Sequence, residues 1–222
     1  MQIRAIDMHN HLLPGVDDGF QNAGPSLEAI KRMVGAGCLE FVFTPHVNPE
    51  LYPESDEEFL KRKYEEFSKS VPSGVKTSLA AEYMVVRDFE KKVASQADSL
   101  LHYQDGSILI EMSYYFRSPN LERAVFELNM AGLRPVIAHP ERYPYMADCL
   151  EDFDALHDNG CRFQINYLSL TGAYGPASIR ILKYLQKNGM CDFFSSDVHS
   201  LAQLEKILDG KIIFPLRKFR DM

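Results

Sequence analysis

The sequence predicts an α/β protein in which parallel strands alternate with helices to form one barrel. Short apolar runs alternate with amphipathic segments seven times along the 222 residues, at a spacing of about thirty residues. No linker divides the chain, and its 45 % hydrophobic residues can bury a sizeable core, so we expect one domain over residues 1–222. An open, doubly wound sheet would show the same alternation, and periodicity alone leaves that alternative open.

The first two strand–helix units are defined by apolar runs and by helix boundary residues. Residues 2–8 predict strand one, and Pro25-Ser26 opens a helix that Gly35 and Gly37 end. Residues 38–44 are apolar and aromatic, which indicates a buried second strand. The segment Ser55-Asp56-Glu57-Glu58 has the pattern of a capping box, so a charged helix is expected to about residue 70.

The rest of the chain repeats this alternation. The remaining strands are expected at residues 75–81, 107–110, 134–138, 161–165 and 191–195. Helices are expected at residues 87–97, from Pro119 to Gly132, and at residues 149–159, 177–188 and 201–208. A basic tail with Arg217, Lys218 and Arg220 follows, and we expect it to be a solvated terminus.

Composition narrows the function classes. The net charge is −7 and no Lys/Arg block is present, which argues against nucleic-acid binding. No run approaches the roughly 18 apolar residues of a membrane span, and the first residues lead into a strand rather than a secretory leader. The four cysteines form no CxxC pair, so reduced thiols and a cytoplasmic location are expected.

Side chains that can bind metal follow the predicted strands where each strand ends. In a parallel barrel these ends meet on one face, where such enzymes keep their chemistry. Five of the seven histidines lie there; the other two, His102 and His157, are expected on the surface or on helices. Any one polar residue at a strand end could be there by chance, but the whole set predicts a metal site. It comprises His9, His11, His46, Glu82, Glu111, His139, Asp197 and His199.

The chemistry of these ligands narrows the reaction. Imidazoles and carboxylates without a thiolate suit Mn²⁺, Fe or Zn²⁺, and ions held close together would clamp a phosphoryl group and activate water. Amidohydrolase barrels also begin with His-x-His, but they commonly need a carbamylated lysine at a middle strand end. Glu82 and Glu111 hold that place here, so the sequence favours phosphoester hydrolysis.

Arg142 is the residue expected to bind phosphate. It follows His139 after one short turn, and its planar guanidinium matches phosphate oxygens. The alternative is a loop arginine paired with Glu141 or Asp148. The aromatic residues 114–116 after strand four are expected either to line the site mouth or to form an ordinary cluster at the barrel rim.

Eight segments of the sequence together resemble one known group of enzymes. They are Asp7-Met8-His9-Asn10-His11, Leu13-Pro14-Gly15-Val16-Asp17-Asp18-Gly19, Thr44-Pro45-His46, Ala81-Glu82-Tyr83, Ile110-Glu111, Ala138-His139-Pro140-Glu141-Arg142-Tyr143, Gln164-Ile165-Asn166 and Ser196-Asp197-Val198-His199. In order and spacing they resemble the polymerase and histidinol phosphatase (PHP) superfamily. Within it they are most similar to the bacterial manganese-dependent protein-tyrosine phosphatases of the CpsB/YwqE type.

The resemblance implies a distorted seven-stranded parallel (β/α)7 barrel of the PHP type that holds three divalent or trivalent metal ions. Mn²⁺ is the favoured ion, with Fe or Zn²⁺ as alternatives. By this likeness the first ion is held by His9, His11, Glu82 and Asp197; the second by Glu82, Glu111 and His139; and the third by Asp18, His46 and His199. It makes Asp18 a ligand where spacing leaves Asp17 equally suitable, and it predicts that substitution of Asp17 does less harm.

The resemblance also implies a reaction and a partner. A hydroxide that bridges the ions would attack phosphorus, with Arg142, Glu82 and Asp197 as the catalytic residues. The substrate would be the tyrosine-phosphorylated C-terminal tail of a bacterial tyrosine kinase, in the regulation of capsule and exopolysaccharide.

Two departures from this group and two alternative functions remain. Residues 200–204 lack an arginine that some relatives use to bind phosphate. The 23 residues after His199 are fewer than expected, and this short segment leaves homo-oligomer formation open.

A small-molecule phosphoesterase, such as a histidinol-phosphate phosphatase, is the alternative enzyme. A catalytically inactive binding domain would require lost ligands, and none of the expected ones is missing.

Overall fold

The computed structural model describes residues 4–214, in which strands and helices alternate. The strands are β1 (Ile6–Asp7), β2 (Glu40–Phe43), β3 (His46–Val47), β4 (Lys76–Leu79), β5 (Glu82–Met84), β6 (Ser107–Glu111), β7 (Arg134–Ala138), β8 (Arg162–Asn166) and β9 (Phe193–Ser195). The helices are α1 (Ala23–Gly35), α2 (Glu57–Phe67), α3 (Phe89–Gln96), α4 (Leu121–Met130), α5 (Asp152–Asp158), α6 (Gly175–Lys187) and α7 (Leu201–Asp209). Within these residues, no helix has the length and apolar character needed to cross a bilayer.

Every strand pairing is parallel. One ladder has the order β1-β2-β4 and a second has the order β3-β5-β6-β7-β8-β9. The two ladders continue each other, because the Ala80 N–H donates to the Phe43 carbonyl at 2.9 Å and the Glu82 N–H to the Pro45 carbonyl at 3.0 Å. The prediction of a parallel α/β fold is therefore confirmed.

Closure into a seven-stranded barrel is not confirmed. In residues 4–214 no ladder joins β1 to β9. The chain segments that follow these two strands are nevertheless hydrogen-bonded: the Asp197 N–H donates to the His9 carbonyl at 2.8 Å and the His11 N–H to the Val198 carbonyl at 3.1 Å. The two ends of the strand series thus meet beside the proposed ligands.

Several predicted bounds differ from the observed ones for identifiable reasons. The second predicted strand, residues 38–44, is observed as β2 (Glu40–Phe43), and the short strand β3 that follows Pro45 was not predicted. Pro45 separates the two strands, since proline has no N–H to donate to a ladder. Strand one is reduced to Ile6–Asp7, and residues 1–3 and the predicted basic tail lie outside the described residues. In the predicted capping box only Asp56 caps α2, accepting from the Phe59 N–H at 2.8 Å.

The two faces of the strands bury different apolar sets. One face packs against the helices and includes Ile108, Ile110 and Ile137. The other face holds a smaller cluster that includes Leu109 and Val136. Successive side chains of a strand alternate between faces, so the face that carries the smaller cluster also carries Glu111 at the end of β6.

Candidate metal centre

The turn that follows β1 is fixed by its contacts with the β2–β3 segment. The Thr44 N–H donates to the Asn10 carbonyl at 3.1 Å, and the Asn10 amide donates to the Val42 carbonyl at 3.1 Å. His9 and His11 flank this buried asparagine and are themselves fully buried. The predicted His-x-His pair therefore lies beyond the strand, in a turn that neighbouring backbone holds in place.

The first ligand group contains the four residues expected at the first ion: His9, His11, Glu82 and Asp197. Glu82 Oε2 lies 3.1 Å from His9 Nε2 and 3.3 Å from His11 Nε2. Asp197 Oδ1 lies 3.4 Å from each of the same two nitrogens. All four residues are at most 1 % exposed, so their nitrogen and oxygen atoms surround a small buried space.

Two further groups extend the cluster towards solvent. Their members are His11, Asp18, His46 and His199 in one, and His46, Glu82 and Glu111 in the other. His46 belongs to both: its Nε2 lies 3.4 Å from Asp18 Oδ1, and its Nδ1 lies 2.9 Å from Glu111 Oε1. The resemblance implies His46 only at the third ion, whereas the structure places its ring between two groups.

His139 stands at the edge of the cluster. Its Nε2 lies 3.0 Å from Glu82 Oε1 and 4.0 Å from Glu111 Oε2, and it belongs to none of the three ligand groups in residues 4–214. The structure thus brings it to Glu82, the residue expected to bridge two ions. His102 and His157 are exposed and lie outside the three ligand groups.

Hydrogen bonds alone do not account for the arrangement of these side chains, whereas a bound cation would. His9 Nδ1 lies 2.7 Å from Gln164 Oε1, and His11 Nδ1 lies 2.8 Å from Asp17 Oδ2. The two Nε2 atoms then face each other at 3.3 Å, where two N–H groups or two lone pairs would repel. Both carboxylate oxygens of Glu82 are buried without a hydrogen-bond partner. Imidazole and carboxylate ligands in this arrangement suit metal ions.

Charges in the cluster are balanced between acids and imidazoles. Burial alone would raise the pKa of Glu82, but the charges of His9 and His46 outweigh it and hold that pKa well below its usual range. Burial also opposes the protonation of His46, yet the Glu111 carboxylate raises the pKa of His46 to about 9. Each partner stabilises the charged form of the other, and metal ions bound here would displace the histidine protons.

Arg142 lies between two aromatic rings beside the cluster. Its guanidinium carbon lies 4.6 Å from the ring centre of Tyr114 and 4.7 Å from that of Tyr174. Its Nη1 donates to Asp197 Oδ2 at 2.7 Å, so its ion-pair partner is not one of the acids near it in sequence. The two rings and the carboxylate hold the planar fork in one orientation.

A cavity of about 800 Å³ opens beside the cluster, within the usual size range of ligand sites. Its walls combine proposed ligands, two arginines (Arg87 and Arg142) and exposed aromatic rings. The cluster contributes Asp18, His46, Glu111, His139, Asp197 and His199, and the wall continues through Arg142, Tyr114, Tyr115 and Phe116. Tyr115 and Phe116 are 89 % and 61 % exposed, so aromatic surface is available at the edge of the cavity.

Several residues contact the cluster in roles that sequence reasoning did not assign, although it weighed Asp17 as a ligand and noted Gln164 and Asn166 as part of the resemblance. Asp17 accepts from His11, and Gln203, in a segment that contains no arginine, accepts from the His199 N–H at 2.8 Å. Gln164 and Asn166 are buried on β8 and lie against His9 and Asp197. The sequence feature that could have identified Gln164 and Asn166 is two amides at alternate positions near the end of a strand predicted to be buried.

Comparison with known proteins gives consistent matches over most of the chain. The sequence is 28 % identical to the tyrosine-protein phosphatase YwqE of Bacillus subtilis over 204 residues, which cover 88 % of this chain and 78 % of the relative. It is 25 % identical to the tyrosine-protein phosphatase CpsB of Streptococcus pneumoniae over 203 residues, covering 88 % of this chain and 83 % of the relative.

A solved structure matches the fold. The chain superposes with a TM-score of 0.75 and 26 % identity, over 92 % of this chain and 86 % of the other, on a chain from the crystal structures of YwqE from Bacillus subtilis and CpsB from Streptococcus pneumoniae, described as unique metal-dependent tyrosine phosphatases. The sequence model of the family described as "Capsular polysaccharide synthesis, CpsB/CapC" matches residues 5–209. The chain therefore belongs to the CpsB/CapC family of capsular polysaccharide synthesis.

Proposed function

We propose that this chain is a metal-dependent phosphotyrosine-protein phosphatase. The observation that carries the proposal is the convergence of the three ligand groups on a cavity that also contains the guanidinium of Arg142. The relatives named above are tyrosine phosphatases, and the solved one is metal-dependent. The same site chemistry is expected here.

Nine residues would hold the metal ions. They are His9, His11, Asp18, His46, Glu82, Glu111, His139, Asp197 and His199, with Mn²⁺ as the favoured ion and three as the proposed number. When bound, such ions supply Lewis acidity and lower the pKa of water enough for it to serve as a nucleophile at neutral pH. Glu82 would contact two of the ions, because its two oxygens approach different histidines.

Arg142 would bind the phosphoryl group of the substrate. Its contact with Asp197 uses one donor of a guanidinium that has five, and the remaining donors can reach phosphate oxygens in the cavity. Negative charge on these oxygens grows during displacement, and a fixed guanidinium stabilises it without reorganisation. Tyr114 and Tyr174 would hold the Arg142 guanidinium in the same orientation when no substrate is bound.

The substrate proposed is a phosphotyrosine in a protein, namely the C-terminal tail of a bacterial tyrosine kinase that acts in capsule or exopolysaccharide regulation. Membership of a capsular polysaccharide family supports this. The exposed rings of Tyr115 and Phe116 beside the cavity also suit a polypeptide that extends beyond the site.

Two structural expectations belong to the same proposal. The strands would close into the distorted seven-stranded (β/α)7 barrel, a reading supported by the hydrogen bonds that join the segments after β1 and β9. Residues 1–222 would form one domain, which the match of the family to residues 5–209 supports.

The experiment is a comparison of substrates on metal-stripped protein reloaded with Mn²⁺, Fe²⁺ or Zn²⁺. We expect hydrolysis of a phosphotyrosine peptide with a larger kcat/KM than that of histidinol phosphate, and loss of activity on chelation. His139→Ala should abolish most of the activity, and His157→Ala, a change to an exposed histidine, should leave it intact. Better turnover of histidinol phosphate would favour the small-molecule phosphoesterase, and no metal binding at all would reject both enzymes.

A further inference from the structure

Two amides on β8 occupy the space behind the proposed metal ligands. Gln164 is 1 % exposed and Asn166 is fully buried. They lie two residues apart on one strand, so their side chains project from the same face, opposite to that of Ile165. Buried amides are costly unless their donors and acceptors are used, which makes their partners informative.

The partners form one continuous chain of hydrogen bonds. Gln164 Oε1 lies 2.7 Å from His9 Nδ1, and Gln164 Nε2 donates to Asn166 Oδ1 at 2.9 Å. Asn166 Nδ2 then donates to Asp197 Oδ2 at 2.6 Å. The chain connects a ligand from the β1 turn to a ligand from the end of β9.

The groups at the two ends of this hydrogen-bond series fix which atom donates and which accepts in each bond. The backbone N–H of His139, which can only donate, lies 3.3 Å from Gln164 Oε1. At the other end the Asp197 carboxylate can only accept. Both ends require the same orientation of the two amides, so His9 must carry its hydrogen on Nδ1.

This direction decides which atoms face the proposed ions. With Nδ1 protonated, His9 presents its Nε2 lone pair, which lies 3.1 Å from Glu82 Oε2. At Asp197, Asn166 and Arg142 both donate to Oδ2, at 2.6 and 2.7 Å. The other oxygen, Oδ1, is buried without a hydrogen-bond partner and lies 3.4 Å from His9 Nε2.

We propose that Gln164 and Asn166 are positioning residues of the metal centre. Gln164 selects the tautomer of His9 that binds metal through Nε2, and Asn166 turns Asp197 so that it binds through Oδ1 alone. The inference rests on the metal centre of the proposed function and is independent of the substrate. Outer partners of this kind commonly change metal affinity 10- to 100-fold when they are removed.

The test is direct titration of metal-stripped protein with Mn²⁺, by calorimetry or by the electron paramagnetic resonance of free Mn²⁺. Gln164→Met keeps the volume and removes the acceptor, and we expect it to weaken the tightest Mn²⁺ site 10- to 100-fold. Gln164→Glu keeps an acceptor for His9 but replaces the donor to Asn166 Oδ1 by a second acceptor, so we expect an affinity between those of Gln164→Met and the wild type. In the Zn²⁺-loaded protein, ring ¹⁵N shifts should show His9 protonated at Nδ1 in the wild type and in Gln164→Glu.

Ser107→Ala is the matched control. It removes a buried hydroxyl that donates to Asp105 at 3.0 Å, at the end of β6 opposite to Glu111. Urea unfolding of each metal-free variant measures the purely structural effect, and Ser107→Ala should change stability without moving the Mn²⁺ affinity.

The outcomes separate this inference from the proposed function. Absence of Mn²⁺ binding by the wild type would overturn the metal centre itself. Wild-type affinity in a folded Gln164→Met variant would overturn the positioning role alone. Should Gln164→Met not fold, the ring ¹⁵N shifts of His9 decide: protonation at Nδ1 in the Zn²⁺-loaded wild type and in Gln164→Glu supports the role, and protonation at Nε2 overturns it.

Discussion

The two adjacent aspartates of the β1 turn are expected to affect different measurable properties. Asp17 is buried, and its carboxylate accepts from His11 Nδ1 at 2.8 Å, from the Gly19 N–H at 2.9 Å and from the His46 N–H at 3.0 Å. The side chain of Asp18 is 56 % exposed and approaches His46 and His199 at 3.4 and 3.6 Å. Asp17 therefore orients the turn, whereas Asp18 is available as a ligand.

The magnitudes follow from these contacts. Asp17→Ala leaves three donors without their acceptor, each worth about 1–3 kcal/mol when buried. Water from the adjacent cavity can satisfy some of them, so we expect the metal-free protein to lose about 3 kcal/mol of unfolding free energy, or about 6–12 °C in Tm. Asp18→Ala removes an exposed carboxylate and should change the stability of the metal-free protein by less than about 0.5 kcal/mol.

The assay combines urea unfolding of metal-stripped protein with Mn²⁺ titration of the folded variants. Asp18→Ala should weaken Mn²⁺ binding by loss of a ligand at unchanged stability. Asp17→Ala should lower both stability and affinity, the latter because His11 loses the partner that fixes its ring. Equal stability of the two metal-free variants would refute the division of roles, and equal losses of Mn²⁺ affinity would contradict the assignment of Asp18 as the ligand.

Four further changes test the site. Arg142→Lys should lower kcat/KM on a phosphotyrosine peptide about 100-fold, with a smaller effect on Mn²⁺ affinity. Gly19→Ala would place a Cβ 2.4 Å from the His11 carbonyl oxygen and should destabilise the protein by about 1–3 kcal/mol in urea. Chelation should lower Tm by about 5–11 °C if the metal had been present at 100 times its Kd, and readdition of Mn²⁺ should restore it. Tyr115→Ser with Phe116→Ser should reduce kcat/KM on the peptide severalfold and leave that on p-nitrophenyl phosphate unchanged.

Where local pattern alone defines an element, sequence and structure agree closely. Strand β7 has the bounds expected from its apolar run between Gly132 and His139. Alternation and strand ends were predictable for the same reason, since apolar periodicity and glycine boundaries are local properties. Residues placed at strand ends therefore met where a parallel arrangement requires.

Long-range contacts were not predictable in this way. The spacing of Asp17 and Asp18 is nearly the same relative to every other ligand, and only the fold decides which one is buried. Arg142 was weighed against acids near it in sequence, but its partner Asp197 is 55 residues away. An ion pair such as Arg142–Asp197 depends on how the strand ends approach each other. The residues of a single segment do not determine that approach.

The backbone is strained at two of the proposed ligands. Among the non-glycine residues of 4–214, the left-handed conformation occurs at Asp88 and at two proposed ligands, His139 with φ 32° and Asp197 with φ 50°. Such a conformation costs an L-residue about 1–2 kcal/mol, and glycine would adopt it more easily. Glycine, however, would remove the ligand.

At Asp197 the cost is offset by specific contacts: its N–H donates to the His9 carbonyl at 2.8 Å, and its carboxylate accepts from Asn166 and Arg142. The buried lone pairs of Glu82, by contrast, have no hydrogen-bond partner in the described protein. Backbone strain lowers the stability of the metal-free chain, whereas the charges of His9 and His46 already stabilise the Glu82 carboxylate there. A bound cation would replace the histidine protons beside the acids and would not relieve the strain. We therefore attribute the expected stabilisation by Mn²⁺ to the acids, and the strained turns should persist unchanged when metal binds.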